Sequence, residues 1–300
     1  MAIKLEYRTV FISDLHLGSR GARAKDLAAF LKRVKCQKLY LVGDVIDMWR
    51  LKQRWYWPKP HNKVARRILR MAGKGTEVIL VPGNHDEAAR QFVGLSFGDV
   101  RLKRNCIHET ADGRRLLVTH GDEFDLVVQH ARLLSIFGSW AYDWLVTVNR
   151  HYNRVRARLG MRYASLSQAI KLRVKRACKF ISDFESTLVD VARRKGCDGV
   201  VCGHIHKAEC RPHDDVEYYN CGDWVESCTA LVEHDDGKIQ LIDGIALVEA
   251  LREQERQLKR ATKAGSPPAK PTPQRLAEIE ATAAGDAPRP NQNQALAVND

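Results

Sequence analysis

The sequence predicts an α/β fold built on mixed sheets, and three observations carry that prediction. The first 86 residues alternate apolar strand-like runs with amphipathic helical ones. The strand-like runs are apolar almost without interruption, as strands buried on both faces should be. After residue 100 come paired strand-like runs joined at Asp-Gly, a hairpin signal, so antiparallel strands should be added to the parallel ones.

The elements follow in order. "TVFISDLHLGS" reads as a strand that ends in polar residues. "KDLAAFLKRV" places Leu27, Phe30, Leu31 and Val34 at helical spacing. "KLYLVGDVIDMW" is a second strand, "NKVARRILRMAG" a helix stopped by Gly73, and "TEVILVPGNHD" a third strand. This βαβαβ order calls for parallel strands covered by helices. "CIHETADGRRLLVTHGD" and "ALVEHDDGKIQLID" read as two-residue hairpins at Asp112-Gly113 and Asp236-Gly237, and "DGVVCGHIH" and "VEYYNCGDW" as further strands.

Between these strands lies a different kind of segment. Residues 126–195 read as a helical insertion whose first part, "LLSIFGSWAYDWLVTV", is apolar and aromatic almost all round. From Val127 to Lys195 the chain carries 14 Lys/Arg against 4 Asp/Glu, so this segment holds most of a net charge of +13. A basic surplus of this kind faces an anionic partner such as phosphate, nucleic acid or an acidic membrane; the plainer reading is a solvated helical face. The expected organisation is a core of residues 1–125 and 196–250, a basic and apolar helical cap over 126–195, and a last stretch, 251–300, holding the end of the final helix and a disordered Pro/Ala-rich tail.

No apolar run is long enough to span a bilayer, and "MAIKLEYRTV" leads into a strand without a secretory apolar core. The eight cysteines form no C-x-x-C pair, and several sit inside apolar runs. Small buried thiols in a reduced, cytoplasmic chain account for them better than a zinc-thiolate site.

Five segments share one design, an apolar strand followed by metal-ligating residue types. They are "FISDLHLGS" with Asp14 and His16, "LVGDVIDMW" with Asp44 and Asp47, "VPGNHDEA" with Asn84, His85 and Asp86, "LLVTHGDEF" with His120 and Asp122, and "VVCGHIHKAE" with His204 and His206. Strand ends gather at one edge of a sheet, where open α/β folds bind ligands. Asp14 and His16, like His204 and His206, stand two residues apart and would point the same way on a continuing strand. Asp14, His16, Asp44, Asn84, His120, His204 and His206 make seven nitrogen or oxygen ligands, too many for one four-coordinate ion. They suit two ions sharing a carboxylate, with Asp44 as the bridge. Imidazole, carboxylate and amide without thiolate select Mn, Fe, Zn or Co over Ca or Mg alone. Any one of these histidines could be a core residue; five such segments in order leave that reading little room. His61, His108, His130, His151, His213 and His234 lack this setting and read as surface or packing residues.

The ordered set D-x-H, GD, GNHD, HGD and GHIH, from Asp14 to His206, resembles the calcineurin-like metallophosphoesterases. The resemblance implies a four-layer αββα sandwich and a site holding two divalent ions, Mn first with Fe or Zn as alternatives. Asp14, His16 and His206 would hold one ion, Asn84, His120 and His204 the other, and Asp44 would bridge. It implies attack on phosphorus by a hydroxide shared between the ions. His85 would protonate the leaving oxygen or stabilise its charge. Asp86 would either orient His85 or cap the turn at "EAARQF".

Within that family the block after "HGDEFD" and the closing "NCGDWVES" are similar to the UDP-2,3-diacylglucosamine diphosphatase branch, with a cap that receives acyl chains. This implies an anionic, lipid-linked phosphoester substrate. It also implies a cytoplasmic location with peripheral contact to an anionic surface, the cytoplasmic face of the inner membrane. Trp49, Trp55 and Trp57 would rim that contact or pack on the sheet edge. The chain departs from the branch in one place: it carries His85 where those diphosphatases carry Arg. The alternative reading is a nuclease that uses the same metal site and grips nucleic acid with the basic insertion; the apolar character of the insertion ranks it second.

Overall fold

The computed structural model describes residues 3–124, 181, 184–263 and 271–284. The chain divides into two compact units, Met1–Gly121 with Val189–Asp300, and Asp122–Leu188. Of the predicted cap, all residues but 181 and 184–195 lie outside the described ones.

The first unit is built on two mixed sheets. Leu5–Ser13 (β1), Ala24–Arg33 (α1), Val34–Val42 (β2), Met48–Gln53 (α2), Lys59–Ala72 (α3) and Glu77–Val81 (β3) realise the expected alternation. β1, β2 and β3 pair in parallel, and Val100–Leu102 (β5) joins them. The short β4, Ser96–Phe97, closes one edge and Thr229–Glu233 (β11) with Ile239–Asp243 (β12) the other, in the order β12-β11-β1-β2-β3-β5-β4. The second sheet runs β6-β7-β8-β10-β9, from Cys106–Glu109 (β6), Arg115–Val118 (β7), Gly199–Cys202 (β8), Glu209–His213 (β9) and Val216–Asn220 (β10). There β7, β8 and β10 are parallel.

The unbroken apolar runs are explained by burial on both faces. Val10 and Ile12 of β1, with Leu39, Leu41 and Val78, meet Leu27, Phe30 and Leu31 of α1 and Val64 and Ile68 of α3. Phe11, between them in sequence, faces the other way with Tyr40, Val42, Ile79 and Val81, against Leu116, Val118, Val201 and Tyr219 of the second sheet. Alternate residues of one strand thus fill two cores. Each such fully buried side chain stabilises the fold by about 1.5–3 kcal/mol relative to exposure.

Two expectations need correction. The two Asp-Gly hairpins exist, but each strand pair is closed one residue further in, by Thr110 N–H to Arg114 C=O and His234 N–H to Lys238 C=O. That leaves three-residue tips in which Gly113 and Gly237 take φ of 86°. The tail is not structureless throughout. A helix spans Gly244–Lys263, and another, Pro273–Ala283, is capped by the Thr272 hydroxyl on Arg275 N–H and buries Ile279 and Ala283 against the helix-side core. Thr-Pro before Leu276, Ile279 and Ala283 is a cap followed by helical spacing, a signal masked by the surrounding proline and alanine. Of the three tryptophans only Trp55, 75% exposed, stands clear; Trp57 packs on His61, and its indole N–H donates to Asn62.

The seven described cysteines are free. Burial pushes the thiols of Cys36 and Cys202 up to about 12, so they are inert. Among the described residues no helix is long and apolar enough to cross a membrane.

Candidate metal centre at the strand ends

The parallel strands of both sheets bring their C-terminal ends to one edge. β1 stops at Ser13, β2 at Val42, β3 at Val81, β7 at Val118 and β8 at Cys202, and each candidate ligand follows within a few residues. The ligands are therefore not on strands. Asp14, His16, Asp44, His204 and His206 take φ of 53°, 45°, 48°, 71° and 55°, left-handed backbone that side-chain-bearing residues avoid. The expectation that Asp14/His16 and His204/His206 point together because strands alternate is corrected here: tight left-handed turns set their directions. Conformations of this kind cost on the order of 1–3 kcal/mol each and persist where the surrounding structure over-determines them. Here Asp14 N–H donates to Gly43 C=O (3.2 Å), His16 N–H to Asp44 C=O (2.8 Å) and Leu17 N–H to Val45 C=O (3.0 Å), so the first two ligand loops form one hydrogen-bonded ribbon.

Close approach sets the remaining requirement. Gly43 has a φ of 77°, and a β-carbon there would lie 2.1 Å from the His120 ring. A β-carbon on Gly203 would lie 1.8 Å from Ser13 Oγ and 2.5 Å from Asp14 Oδ2. These positions admit no side chain while the ligand loops stay where they are.

The resulting cluster is dense in ligand atoms. Asp14 Oδ1 lies 3.2 Å from His206 Nε2, 3.5 Å from His120 Nε2 and 3.8 Å from His16 Nε2. Asp44 Oδ2 faces His120 Nε2 at 3.8 Å, His16 Nε2 at 3.9 Å and His85 Nε2 at 4.0 Å. His204 stands beside His120, ring centroids 5.1 Å apart. The Asn84 amide oxygen is buried and has no hydrogen-bond partner among the described residues. Ligand atoms of Asp14, His16 and His206 fall together in one group and those of Asp14, Asp44 and His120 in a second. Asp14 thus belongs to both groups, and Asp44 faces a histidine of each.

Burial alone would raise the Asp14 carboxyl; the His120 and His206 imidazoles overrule it and hold the group well below the ordinary carboxylate range. Two buried carboxylates, four imidazole nitrogens and an orphaned amide oxygen, with no thiol, fit divalent cations of the Mn, Fe or Zn class.

Two residues to which the sequence reading gave no role, Asp47 and Asp223, complete the arrangement. Asp47 meets His85 Nδ1 at 3.1 Å and His16 Nδ1 at 3.7 Å, and also accepts from Arg50 N–H at 2.9 Å, capping α2. Asp223 lies behind His206, its Oδ2 3.8 Å from Nδ1. Carboxylates behind ligating or acid–base histidines fix their orientation. The spacing of Asp47, three residues after Asp44 and just before a short helix, was the available signal. Asp86 is corrected correspondingly. Its carboxylate accepts from Gly83 N–H (2.6 Å), Val45 N–H (2.8 Å) and Ile46 N–H (3.3 Å), tying the Asp44 loop to the Asn84 loop. It neither orients His85 nor gives its turn a side-chain cap. His85 packs against Trp49 at 4.0 Å between centroids and donates its backbone N–H to Asp44 Oδ1 at 2.8 Å.

Known proteins show the same pattern of similarity. A hydrolase of UDP-2,3-diacylglucosamine from Neisseria meningitidis serogroup B is 25% identical over 247 residues, covering 76% of this chain and 95% of the relative. One from Ralstonia nicotianae is 27% identical over 232 residues, covering 71% and 82%. Among solved structures, a single mutant of Vps29 from Entamoeba histolytica is 13% identical with a TM-score of 0.38, covering 78% of this chain and 96% of that one. The family model for calcineurin-like phosphoesterases matches residues 7–208, which take in every candidate ligand from Asp14 to His206, and the chain belongs to that family.

Proposed function

We propose that this phosphoester hydrolase cleaves the diphosphate of a nucleotide-sugar or lipid-linked substrate of the UDP-2,3-diacylglucosamine type, at a centre loaded with two ions, Mn²⁺ first. The observation that carries the centre is the buried Asn84 amide oxygen, without a hydrogen-bond partner among the described residues, in the loop whose next residue donates its backbone N–H to Asp44. The substrate class draws on the relatives named for UDP-2,3-diacylglucosamine hydrolysis.

When bound, the ions would supply charge neutralisation at the phosphoryl oxygens and acidify water. The protein's own contribution is positional. Asp14, His16 and His206 would hold one ion, Asn84, His120 and His204 the other, with Asp44 presented to both. Asp47 Oδ1 accepts a hydrogen bond from His85 Nδ1–H, leaving Nε2 to face the leaving oxygen. Trp49 limits rotation of that ring. A histidine here can donate a proton, where the arginine of the resembled diphosphatases can only stabilise charge. A lipid-borne substrate would bring the protein to the cytoplasmic face of an anionic membrane.

The direct test is release of UMP from UDP-2,3-diacylglucosamine by purified protein with Mn²⁺. No release under conditions where a simple phosphodiester is cleaved would remove the substrate assignment and leave the hydrolase standing.

A further inference from the structure

The candidate metal edge opens on a cleft of about 590 Å³. His16, His85, His206 and Asp47 line it, and so do Arg20, Arg50 and Arg54. The arginines lie in "GSRGA" and "MWRLKQRW", and neither the ligand pattern nor the mechanism above uses them.

Their mounting is specific. Gly18, in the loop that carries Arg20, donates its N–H to Nδ1 of the buried His61 at 3.1 Å. Tyr56 packs edge-on against the same His61, centroids 5.8 Å apart, and the Arg20 guanidinium sits 5.7 Å over the Tyr56 ring. Arg50 lies in α2 and Arg54 is its C-cap, with Arg54 N–H donating to Arg50 C=O at 2.9 Å. That helix starts from the Asp47 cap, so one carboxylate fixes both the His85 ring and the element that carries two of the cations. Among the described residues none of the three guanidiniums forms an ion pair. Among the described residues the only acid lining the cleft is Asp47, whose carboxylate is already engaged by His16, His85 and the Arg50 N–H.

A simple phosphodiester presents one phosphoryl group, and the metal edge is sufficient for it. Three further unpaired guanidiniums, each a rigid fork suited to phosphate oxygens, are surplus to that need. We infer that Arg20, Arg50 and Arg54 form a subsite for a second phosphoryl group, so that a diphosphate binds with one phosphorus at the metal edge and the other against the arginines. The inference rests on the hydrolase reading above and adds the residues that select a diphosphate over a monophosphate ester. In the reaction water adds to the phosphorus at the metal edge, giving up one proton to solvent, from which His85 is later reprotonated, and the P–O bond to the bridging oxygen breaks. The bridging oxygen leaves with the second phosphoryl group, taking a proton from His85, and two phosphate monoesters result. Charge that develops on the departing phosphate falls on the guanidiniums, where fixed positive groups stabilise it most.

The test compares diadenosine diphosphate with bis(4-nitrophenyl) phosphate as Mn²⁺-dependent substrates of the full chain. For the triple variant Arg20→Ala, Arg50→Ala, Arg54→Ala the ratio of kcat/KM, diphosphate over diester, should fall by at least about 30-fold, chiefly through KM. Arg50→Lys alone, which keeps charge and loses the fork, should fall in between. A ratio within about threefold of wild type overturns the subsite. A second arm needs no turnover: calorimetric titration of metal-free protein, in chelator, with methylenediphosphonate. Binding by wild type that the triple variant loses supports the subsite; equal binding, or none by wild type, overturns it. Should the wild-type chain hydrolyse neither substrate, the hydrolase reading fails on these compounds and the titration alone decides the subsite.

Discussion

Two regions of the molecule bury histidine with carboxylate, and they are built on opposite principles. At the inter-sheet junction, His108 of β6 and Glu233 of β11 are both fully buried, with Nε2 and Oε2 2.8 Å apart. Glu233 Oε1 accepts from Ala111 N–H at 2.8 Å and meets Arg8 Nε at 3.2 Å; Tyr40 O–H donates to His108 Nδ1 at 3.3 Å. Burial alone would raise the Glu233 carboxyl, but His108 and the Ala111 N–H hold it below its ordinary value. Both nitrogens of the ring and both oxygens of the carboxylate are satisfied within the chain. At the strand-end edge the ligand atoms of Asp14, Asp44, His16, His120 and His206 crowd one another, and the Asn84 oxygen has no partner among the described residues. A closed polar network holds a fold together, whereas an open one on left-handed backbone is built for something the chain does not itself supply.

The comparison breaks most readily at its two extremes. Asn84→Ala removes an oxygen that bonds nothing among the described residues, so urea unfolding of metal-free protein should shift by less than about 1 kcal/mol. Mn²⁺-dependent hydrolysis should fall by about 10³-fold or more. His108→Ala should do the reverse. It strands a buried carboxylate and should cost about 3–5 kcal/mol, with turnover per folded molecule retained. If Asn84→Ala destabilises as much as His108→Ala, or if His108→Ala abolishes Mn²⁺ binding, the two regions are not different in kind.

This difference also explains what could be read from the chain alone. The parallel strands were legible because burial on both faces writes itself as unbroken apolar runs. The ligands were legible because each follows such a run: Asp14 after "FIS", His120 after "LLVT". The backbone turning at these residues was not, since nothing in Asp14 or His206 announces a positive φ. His108 was passed over because its partner Glu233 lies 125 residues away, and a pairing across two sheets leaves no local pattern. The Pro273–Ala283 helix was hidden by composition, although its cap and its apolar spacing were present. Asp86 was misread because a residue before a helical turn fits a cap by sequence, while its carboxylate is drawn to the N–H groups of two neighbouring loops.

A smaller effect sharpens the strand-end half of the comparison. Asp47 and Asp86 sit near each other in the same pair of loops, one behind His85 and His16, the other beneath the backbone. Asp47→Asn keeps the shape but can present its NH₂ group to His85 Nδ1, which allows the wrong tautomer. Turnover should fall by roughly 10–100-fold, with the alkaline limb of the pH–rate profile displaced. Asp86→Asn should act mainly on stability, costing about 1–3 kcal/mol as buried N–H donors lose a charged acceptor, with the shape of the pH profile kept. Equal pH profiles for the two variants would remove the positioning role assigned to Asp47.

The smallest effect lies farther from the site, in a region that follows the same logic as the His108 junction. Arg33 at the end of α1 forks onto Glu255 of the helix Gly244–Lys263, with one N–H to Oε2 at 2.9 Å and the other to Oε1, which also accepts Ile3 N–H at 2.7 Å. The Arg33 guanidinium holds the Glu255 carboxyl down at about 2. A carboxyl depressed in the folded state contributes stability that is fully present above its unfolded value, near 4.3. That contribution drains as pH falls from there through about 2. Glu255→Gln should therefore cost about 1–3 kcal/mol at pH 7. The gap between variant and wild type should narrow below about pH 4 as protonation makes the wild-type side chain neutral too. Urea midpoints measured at pH 7 and pH 3 decide it. A gap unchanged between the two would mean the fork contributes packing and not charge, and Arg33 would then be holding the helix by its aliphatic stem.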